Sequence, residues 1–350
     1  MRNIDKICTY ESEKIKKVIE IIDRGKLGIA VVIDKNKKLL GIVTDVDIRR
    51  GILKGISLEA SVRKVMNSDP KKILEGRDKS EIISLMKKYN IRQVPVVNKL
   101  NQVIGLELLN DYLGEVKHSN FVIIMAGGRG KRLRPLTKET PKPMLILKDK
   151  PILENILESF KNYGFCNFII TINYQHKKIF DYFKHGEKWS VNIQYLKEKK
   201  QLGTAGALSM LNKKDFKEPF FVVNSDLLTS VNFEHMLEYH KSHNCIATIG
   251  IKEYPIEIPY GIIRVNNELL EDVDEKPMVK FYINAGIYIF APEILSFIKN
   301  KGYMDMTEFI ESIKDKGLKV VCFPIHEYWL DIGHFDNYIK AKKDFKRYFR

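Results

Sequence analysis

The feature that most constrains the fold is a short apolar run that passes directly into a glycine-rich, basic loop. Residues 121–125 (FVIIM) are all apolar, as in a strand buried on both faces. The following residues, 126–144, open with three glycines and then carry five cations: Lys131, Arg132, Arg134, Lys138 and Lys142. Glycines let the backbone turn sharply and present N–H groups to an anion, which the cations neutralise. The stretch predicts a polyphosphate-binding loop at the end of a buried strand, and so a nucleotide site.

The spacing excludes two familiar phosphate-binding motifs. A P-loop places Ser or Thr directly after its Gly-Lys pair, but Gly130-Lys131 is followed by Arg132. The dinucleotide fingerprint opens a regular helix, which Pro135 and Pro141 prevent here. The loop therefore belongs to another class of nucleotide site.

The loop resembles the signature of the sugar-1-phosphate nucleotidyltransferases, GGxGxRLxPLT followed by PKPM. Further segments typical of that family follow in the expected order: LGTAG (202–206), VNSD (223–226), YG (260–261), EKP (275–277), NAG (284–286) and WLDIG (329–333). The resemblance covers about residues 120–334. It implies an enzyme that joins a nucleoside monophosphate from a triphosphate to a sugar 1-phosphate.

The resemblance also implies roles for single residues. Asp226 and Asp331 would hold Mg²⁺, because a hard cation that bridges phosphates needs carboxylate ligands. Arg132 and Lys142 would stabilise the triphosphate and the leaving pyrophosphate, and Lys276 would hold the sugar phosphate. The remaining nucleotide-binding candidates are Ala126, Gly127, Gly128, Gly130, Gly203 and Thr204. The sugar-binding candidates are Gly261, Glu275 and Asn284.

Glu198 is the candidate for reading the base. It occupies the position at which thymidylyl- and uridylyltransferases of the family commonly place a glutamine, and a carboxylate can accept from guanine N1–H and N2–H₂ together. The LGTAG segment also resembles the guanylyltransferase form of this loop. GTP is therefore the favoured triphosphate. The alternative is that Glu198, within the charged run KEKK, is only a solvated side chain.

Residues 1–116 contain an internal repeat. An offset of 64 positions aligns GIAVVIDKNKKLLGIVTDVD with QVPVVNKLNQVIGLELLND, and an amphipathic helix precedes each copy. The apolar stripes are Ile15, Val18, Ile19 and Ile22 in the first helix and Ile82, Ile83 and Met86 in the second. Two such strand hairpins with flanking helices resemble a tandem CBS module, which implies regulation or dimerisation and a homo-oligomer.

Thr44 and Asp47 form a possible ligand pair in the first copy. They follow a strand at a helix start, where a hydroxyl and a carboxylate suit the two hydroxyls of a ribose. CBS modules that bind adenine nucleotides use this pattern. Leu108 replaces the threonine in the second copy, although Asp111 remains, so at most one intact site is expected. The alternative is that Thr44 and Asp47 are ordinary helix caps.

The second domain is expected to span residues 120–350, after a short polar linker at 114–120. Apolar strands at 168–172, 220–223, 245–251 and 287–290 alternate with helical segments such as 151–163 and 232–242. The alternation predicts an α/β fold with a Rossmann-like, mixed but mostly parallel sheet that is covered on both faces.

Composition and charge exclude several other classes. No apolar run reaches the ~18 residues of a membrane span, and Arg2, Asp5 and Lys6 interrupt any signal-peptide core, so a cytoplasmic protein is expected. The net charge of +15 is scattered without an aromatic-rich module, which argues against nucleic acid as a partner. Four distant cysteines indicate neither disulfides nor zinc, and the histidines at 235, 240 and 243 are expected to face water.

The sugar and two other functional classes stay open. A CBS pair in front of a compact transferase resembles the glucosamine-1-phosphate guanylyltransferases of bacterial legionaminic acid synthesis, which favours glucosamine 1-phosphate. Mannose-1-phosphate and heptose-1-phosphate guanylyltransferases are the alternatives within the family. Outside it, the chain could be a non-catalytic CBS nucleotide sensor, but no metal ligand or loop cation is missing from the motifs. A nucleic-acid-binding protein would require a steeply salt-dependent affinity.

Overall fold

The computed structural model describes residues 4–25, 27–89, 91–113, 117–128, 130–298 and 302–349. The chain divides into two compact units, Met1–Val116 and Lys117–Arg350. Residues 114–116 of the predicted linker lie outside the described part. Among the described helices, none is long and apolar enough to cross a membrane.

The first unit contains two small three-stranded sheets of the same topology, each with helices beside it. In both sheets the first and second strands are parallel, and the second and third form an antiparallel hairpin. Both hairpins shift register at equivalent places, between Val32 and Ile33 and between Val96 and Val97. The elements are β1 Cys8–Tyr10, α1 Ile15–Gly25, β2 Ile29–Ile33, β3 Leu39–Thr44, α2 Asp45–Leu53, β4 Ile73–Leu74, α3 Lys79–Tyr89, β5 Gln93–Val97, β6 Val103–Leu108 and α4 Asn110–Leu113.

The two copies share a core and hydrogen bonds. The Leu39 N–H donates to the carbonyl oxygen of Asn101 at 3.0 Å, and the Val103 N–H donates to that of Lys37 at 2.9 Å. One buried apolar cluster combines strand residues of both copies: Ile29, Val31, Ile33, Leu39, Val97, Val103 and Leu106. The pair therefore folds as one unit, as the repeat predicts.

The second unit is built on a seven-stranded sheet with the order β11-β10-β7-β12-β17-β14-β18. Its strands are β7 His118–Met125, β8 Ile146–Leu147, β9 Lys150–Pro151, β10 Phe165–Ile172, β11 Asn192–Lys197, β12 Phe220–Asn224, β13 Leu227–Thr229, β14 Ala247–Glu257, β15 Ile262–Asn266, β16 Leu269–Asp274, β17 Met278–Phe290, β18 Val320–Pro324 and β19 Trp329–Asp331. Its helices are α5 Ile152–Lys161, α6 His176–Phe183, α7 Gly203–Gly206, α8 Phe233–His243, α9 Met306–Lys314 and α10 Phe335–Tyr348.

The large sheet is mixed and mostly parallel, which confirms the predicted fold class. Only β17 runs antiparallel to its two neighbours, β12 and β14. Successive residues of β7 enter different cores: Val122 and Ile124 pack with Phe160 of α5, whereas Ile123 packs with Phe309 of α9. The all-apolar run that opens the loop is therefore a strand covered on both faces.

One histidine departs from the prediction. His240 lies on α8 but is only 3% exposed, and its Nδ1 lies 2.8 Å from Oγ1 of Thr248. Burial lowers the pKa of His240 to about 4, so the ring is neutral and belongs to the core. In the described ranges no group of three or more His, Cys, Asp or Glu side chains is placed to hold a metal.

Candidate active site

The glycine-rich loop begins where three parallel strands end together. Met125, the last residue of β7, is in register with Thr171 of β10 and with Asn224 of β12. The Ala126 N–H then donates to the carbonyl oxygen of Thr171 at 3.1 Å and lies 3.2 Å from its Oγ1. Carboxyl ends of parallel strands are where open α/β sheets bind ligands. The loop therefore starts at the edge where the sequence places it.

Gly130 shows why this turn needs glycine. Its φ is +60°, and a Cβ there would lie 3.0 Å from Cβ of Lys142. Thr137 closes the loop by donating from its Oγ1 to the Gly130 carbonyl oxygen at 2.7 Å. Gly128 has no atom within 4 Å of its Cβ position and faces open space. The hydrogen bond of Thr137 therefore fixes the loop at Gly130, whereas Gly128 is accessible to a ligand.

Asp226 and Asp331 are brought together by a short strand pair. Leu227 of β13 pairs with Asp331 of β19, and the Ile332 N–H donates to the carbonyl oxygen of Asp226 at 2.9 Å. Lys142, which is 9% exposed, donates from Nζ to Oδ2 of Asp226. Residues more than 80 positions apart thus meet beside the loop.

Each of the two carboxylates keeps one oxygen without a hydrogen bond. Oδ1 of Asp226 and Oδ1 of Asp331 are both buried and have no partner among the described residues. Burial and the charge of Asp226 raise the pKa of Asp331, whereas the charges of Lys142 and Arg132 oppose the shift. Two buried, orphaned carboxylate oxygens fit a hard divalent cation. Mg²⁺ is commonly bound by one or two carboxylates, its other ligands being water and substrate phosphate.

Arg132 reaches the same centre from the loop. Its Nη1 lies 3.1 Å from Nε2 of His334, and its Nη2 lies 3.4 Å from the position of a Cβ on Gly333. That Cβ would be 2.8 Å from Oδ1 of Asp331. The space that a side chain at Gly333 would fill therefore borders both the guanidinium and the carboxylate. The sequence reasoning missed His334, although it directly follows this motif.

Glu198 lies at the base of the loop and is 6% exposed, so it is not a solvated residue. Its Oε2 accepts from the Leu202 N–H at 3.1 Å, and its Oε1 lies 2.5 Å from where a Cβ on Gly127 would be. Burial raises its pKa, which hydrogen bonds from the Leu202 N–H and from Thr171 oppose. Gly127 is therefore required by the carboxylate beside it. Thr171, which was not predicted either, is a fully buried polar residue in the otherwise apolar stretch 168–172.

Gly203 and Thr204 have packing roles in the structure. Gly203 has φ +79°, and a Cβ on it would lie 2.4 Å from the carbonyl oxygen of Met304. Oγ1 of Thr204 accepts from the Met306 N–H at 2.8 Å, at the first residue of α9. Through these contacts the LGTAG turn packs against residues 304–306. Contact of Gly203 and Thr204 with a nucleotide stays a prediction.

The predicted sugar-binding residues fall into two groups. Glu275 lies against Gly261, because a Cβ on that glycine would be 2.7 Å from Oε2 of the glutamate. Glu275 and Lys276 are exposed, and Lys276 has φ +49°. These three residues lie on or beside the β15–β16 hairpin.

Asn284 lies nearer to the carboxylates. Its Oδ1 accepts from the Gly286 N–H at 2.9 Å, and a Cβ on Gly286 would lie 2.5 Å from Nδ2 of Asn224. Nε1 of Trp329 donates to the Ala285 carbonyl oxygen at 2.9 Å. The NAG segment therefore contacts the VNSD and WLDIG segments that supply the two aspartates.

The predicted ligand pair of the first unit forms a helix cap. Both the N–H and Oγ1 of Thr44 donate to Oδ2 of Asp47, at 2.9 and 2.7 Å, and α2 begins at Asp45. The pair is thus preorganised side by side at a helix N-terminus. Binding of a ribose there stays a prediction.

Comparison with known proteins agrees with this organisation. The family model "Nucleotidyl transferase" matches residues 121–347, and the "CBS domain" model matches residues 2–54 and 62–106. The chain belongs to the nucleotidyl transferase family and carries a CBS pair at its N-terminal side.

Two curated relatives and one solved structure illustrate the similarity. Mannose-1-phosphate guanyltransferase 2 of Candida glabrata is 35% identical over 221 residues, 60% of each chain. UTP–glucose-1-phosphate uridylyltransferase of Synechocystis is 31% identical, over 63% of this chain and 61% of its own. The chain therefore spans about three fifths of these relatives. HddC from Yersinia pseudotuberculosis, solved with GMP-PN, has a TM-score of 0.52 at 24% identity, over 65% of this chain and 99% of its own, and shows the shared fold.

Proposed function

We propose that this chain transfers GMP from GTP to a hexose 1-phosphate and releases pyrophosphate. The observation that carries the proposal is the meeting of Asp226, Asp331 and Lys142 beside the glycine-rich loop, with one orphaned buried oxygen on each carboxylate. Membership of the nucleotidyl transferase family and the activity for which its guanyltransferase relative is named support the same reaction class.

The reaction requires charge neutralisation and alignment more than covalent catalysis. An oxygen of the sugar phosphate forms a bond to the α-phosphorus, while the bond from that phosphorus to the bridging oxygen breaks and pyrophosphate leaves with the electron pair. Asp226 and Asp331 would hold Mg²⁺, which when bound supplies positive charge to the phosphate oxygens. Lys142 and Arg132 neutralise the triphosphate and the leaving group.

Base and sugar are the finer parts of the proposal. The buried Glu198 beside Gly127 favours guanine, because a glutamate carboxylate can accept two N–H groups of that base. The guanyltransferase relative acts, by its name, on mannose 1-phosphate, which makes that sugar the first to test. The combination with a CBS pair keeps glucosamine 1-phosphate as the second.

A substrate matrix tests the proposal. Pyrophosphate release is measured with four nucleoside triphosphates against mannose, glucosamine, glucose and heptose 1-phosphates, in Mg²⁺ and in EDTA. We expect turnover with GTP and one hexose 1-phosphate that EDTA abolishes, and no turnover in the Asp226→Asn variant. No pyrophosphate with any pair would favour the alternative of a non-catalytic nucleotide sensor.

The first unit is proposed to bind an adenine nucleotide and to pair with a second copy. The hydroxyl of Thr44 and the carboxylate of Asp47 lie within 2.7 Å at a helix start, where both can reach the hydroxyls of one ribose. Calorimetry with AMP, ADP and ATP on the full chain tests the nucleotide-binding part of this proposal.

A further inference from the structure

Two long strands of the second unit project beyond the seven-stranded sheet. Among the described strands, the outer parts of β14 and β17 pair only with each other, from Lys252 opposite Ile283 to Glu257 opposite Met278. The β15–β16 hairpin joins their ends. We call residues 252–283, all of them described, the arm. A two-stranded ribbon has little stability of its own in water.

One face of the β14–β17 ribbon is apolar and open to solvent. Tyr254 and Ile256 are 52% and 44% exposed, and Phe281, directly opposite Tyr254, is 51% exposed. Successive strand residues face opposite sides, so Glu253 and Lys280 share the other face, where they form an ion pair of 2.9 Å. The ribbon therefore has one uncovered apolar face and one mixed face, on which this ion pair lies beside the exposed Tyr282 and Met278.

The hairpin repeats this division. Four of its apolar side chains are more than half exposed and lie in two cross-strand pairs: Ile263 with Val273 and Val265 with Leu270. Arg264 and Asp272, at a cross-strand pair next to Ile263 and Val273, form an ion pair of 3.0 Å. Together with the three on the ribbon, these side chains expose on the order of 600 Å², at the upper end of what monomeric proteins show. If two copies bury both arms and the surfaces that contact them, the total buried area reaches the ~1,200–2,000 Å² of a stable interface.

Charge indicates which surface covers the arm. The arm contains seven acidic and four basic residues, a net charge of −3, whereas the whole chain carries +15, so the remainder carries +18. Two arms would repel each other. An arm and the basic remainder of a second copy attract.

Helix α10 offers a surface of the matching kind. Phe335 and Ile339, one turn apart, are 51% and 38% exposed. Tyr338 donates from its hydroxyl to the carbonyl oxygen of Ile146 at 2.8 Å, and Ile146 is itself 44% exposed. Three exposed cations, Lys340, Lys342 and Lys343, and one exposed carboxylate, Asp336, flank this apolar centre, which leaves a net charge of +2. We call these seven exposed residues, without Tyr338, the α10 patch.

We propose that a second copy of this chain covers the arm, the acidic arm of each copy packing on the basic α10 patch of the other. The contact is reciprocal, so a two-fold axis relates the copies. It is separate from any pairing through the CBS unit. The arm also carries Gly261, Glu275 and Lys276, so under the proposed function the partner would support the sugar side of the site.

Sedimentation equilibrium on the full chain tests the apolar part of the contact. Phe281→Ser should raise the dissociation constant at least tenfold and halve the mass at micromolar concentration. Tyr282→Ser is the matched control, because Tyr282 is the next residue, is 49% exposed and lies on the opposite face. Equal effects of the two substitutions, an unchanged mass in Phe281→Ser, or a wild type that is monomeric throughout would overturn the proposal.

A charge swap tests the pairing of the two surfaces. The double variant Lys340→Glu, Lys343→Glu should weaken association, and adding Glu268→Lys with Glu271→Lys should restore it. Circular dichroism checks that each variant is folded. Because mass is measured without substrate, the result is independent of whether the proposed reaction occurs. Failure of the second pair to restore the mass of folded protein would show that the α10 patch is not the surface that covers the arm.

Discussion

The carboxylate centre and the predicted sugar side of the site are held by different kinds of structure. Lys142, Asp226 and Asp331 lie at the edge of the seven-stranded sheet, with Lys142 only 9% exposed. Glu275 and Lys276 are exposed beside a two-stranded hairpin. The centre is therefore preorganised by a large core, whereas the sugar side depends on the arm. We expect changes at the centre to affect chemistry and changes at the sugar side to affect binding.

The largest effect is expected at the centre. Asp226→Asn and Asp331→Asn each remove one formal charge without changing side-chain size, so the cation that both would hold loses a ligand charge. Turnover at saturating Mg²⁺ should fall by about a hundredfold or more, a barrier change of ~2.7 kcal/mol. Steady-state pyrophosphate release measures the change.

The control for this pair is Asp272→Asn, in which an exposed carboxylate that pairs with Arg264 on the β15–β16 hairpin loses its charge. It should leave turnover nearly unchanged. An Asp226 or Asp331 variant that keeps more than about a tenth of the wild-type rate would remove that residue from the metal site.

The next largest effect is expected at Glu198, the buried residue beside Gly127 that is proposed to select the base. Glu198→Gln keeps the size of the side chain but replaces one acceptor by a donor, which should cost about 1–3 kcal/mol toward guanine. The ratio of kcat/KM for GTP to that for UTP should therefore fall about tenfold. An unchanged ratio would discard Glu198 as the base-reading residue.

A smaller effect is expected on the sugar side. Gly261→Ala places a Cβ 2.7 Å from Oε2 of Glu275, so the carboxylate must move. We expect KM for the sugar 1-phosphate to rise about fivefold, ~1 kcal/mol, with little change in kcat. Gly302→Ala is the control, because nothing lies within 4 Å of its Cβ position and it belongs to none of the predicted sites. A fall in kcat equal to that of the aspartate variants would end the distinction between the two regions.

The sequence predicted the ordered parts of the fold well, for identifiable reasons. The run at 121–125 has no polar residue, so only a doubly covered strand suits it, and the 64-residue repeat predicted a paired module. The meeting of Asp226 and Asp331 depends on the pairing of β13 with β19, which local pattern does not reveal. The two aspartates could be predicted only from their positions in the family motifs VNSD and WLDIG.

Other features arise only from tertiary structure. Periodicity places His240 on a helix, but its burial depends on Thr248 of a neighbouring strand. Glu198 lies in a run of lysines, and its burial follows from the close approach of Gly127. His334 contacts Arg132, more than 200 positions away, so no sequence spacing indicates that contact. The exposed apolar faces of the arm follow from the register of β14 with β17.

The smallest effect is expected in the first unit, where the two CBS copies extend the comparison. Asp47→Ala removes the acceptor for both the N–H and the hydroxyl of Thr44, which should lower the free energy of unfolding by ~1 kcal/mol even without ligand. The same change should abolish the calorimetric heat of an adenine nucleotide. Asp111→Ala, at the equivalent position of the copy in which Leu108 replaces the threonine, should retain that heat.

If Asp47→Ala is less stable but the wild type gives no heat with any adenine nucleotide, Thr44 and Asp47 act only as a helix cap. Heat that survives Asp47→Ala would move the nucleotide site elsewhere in the unit.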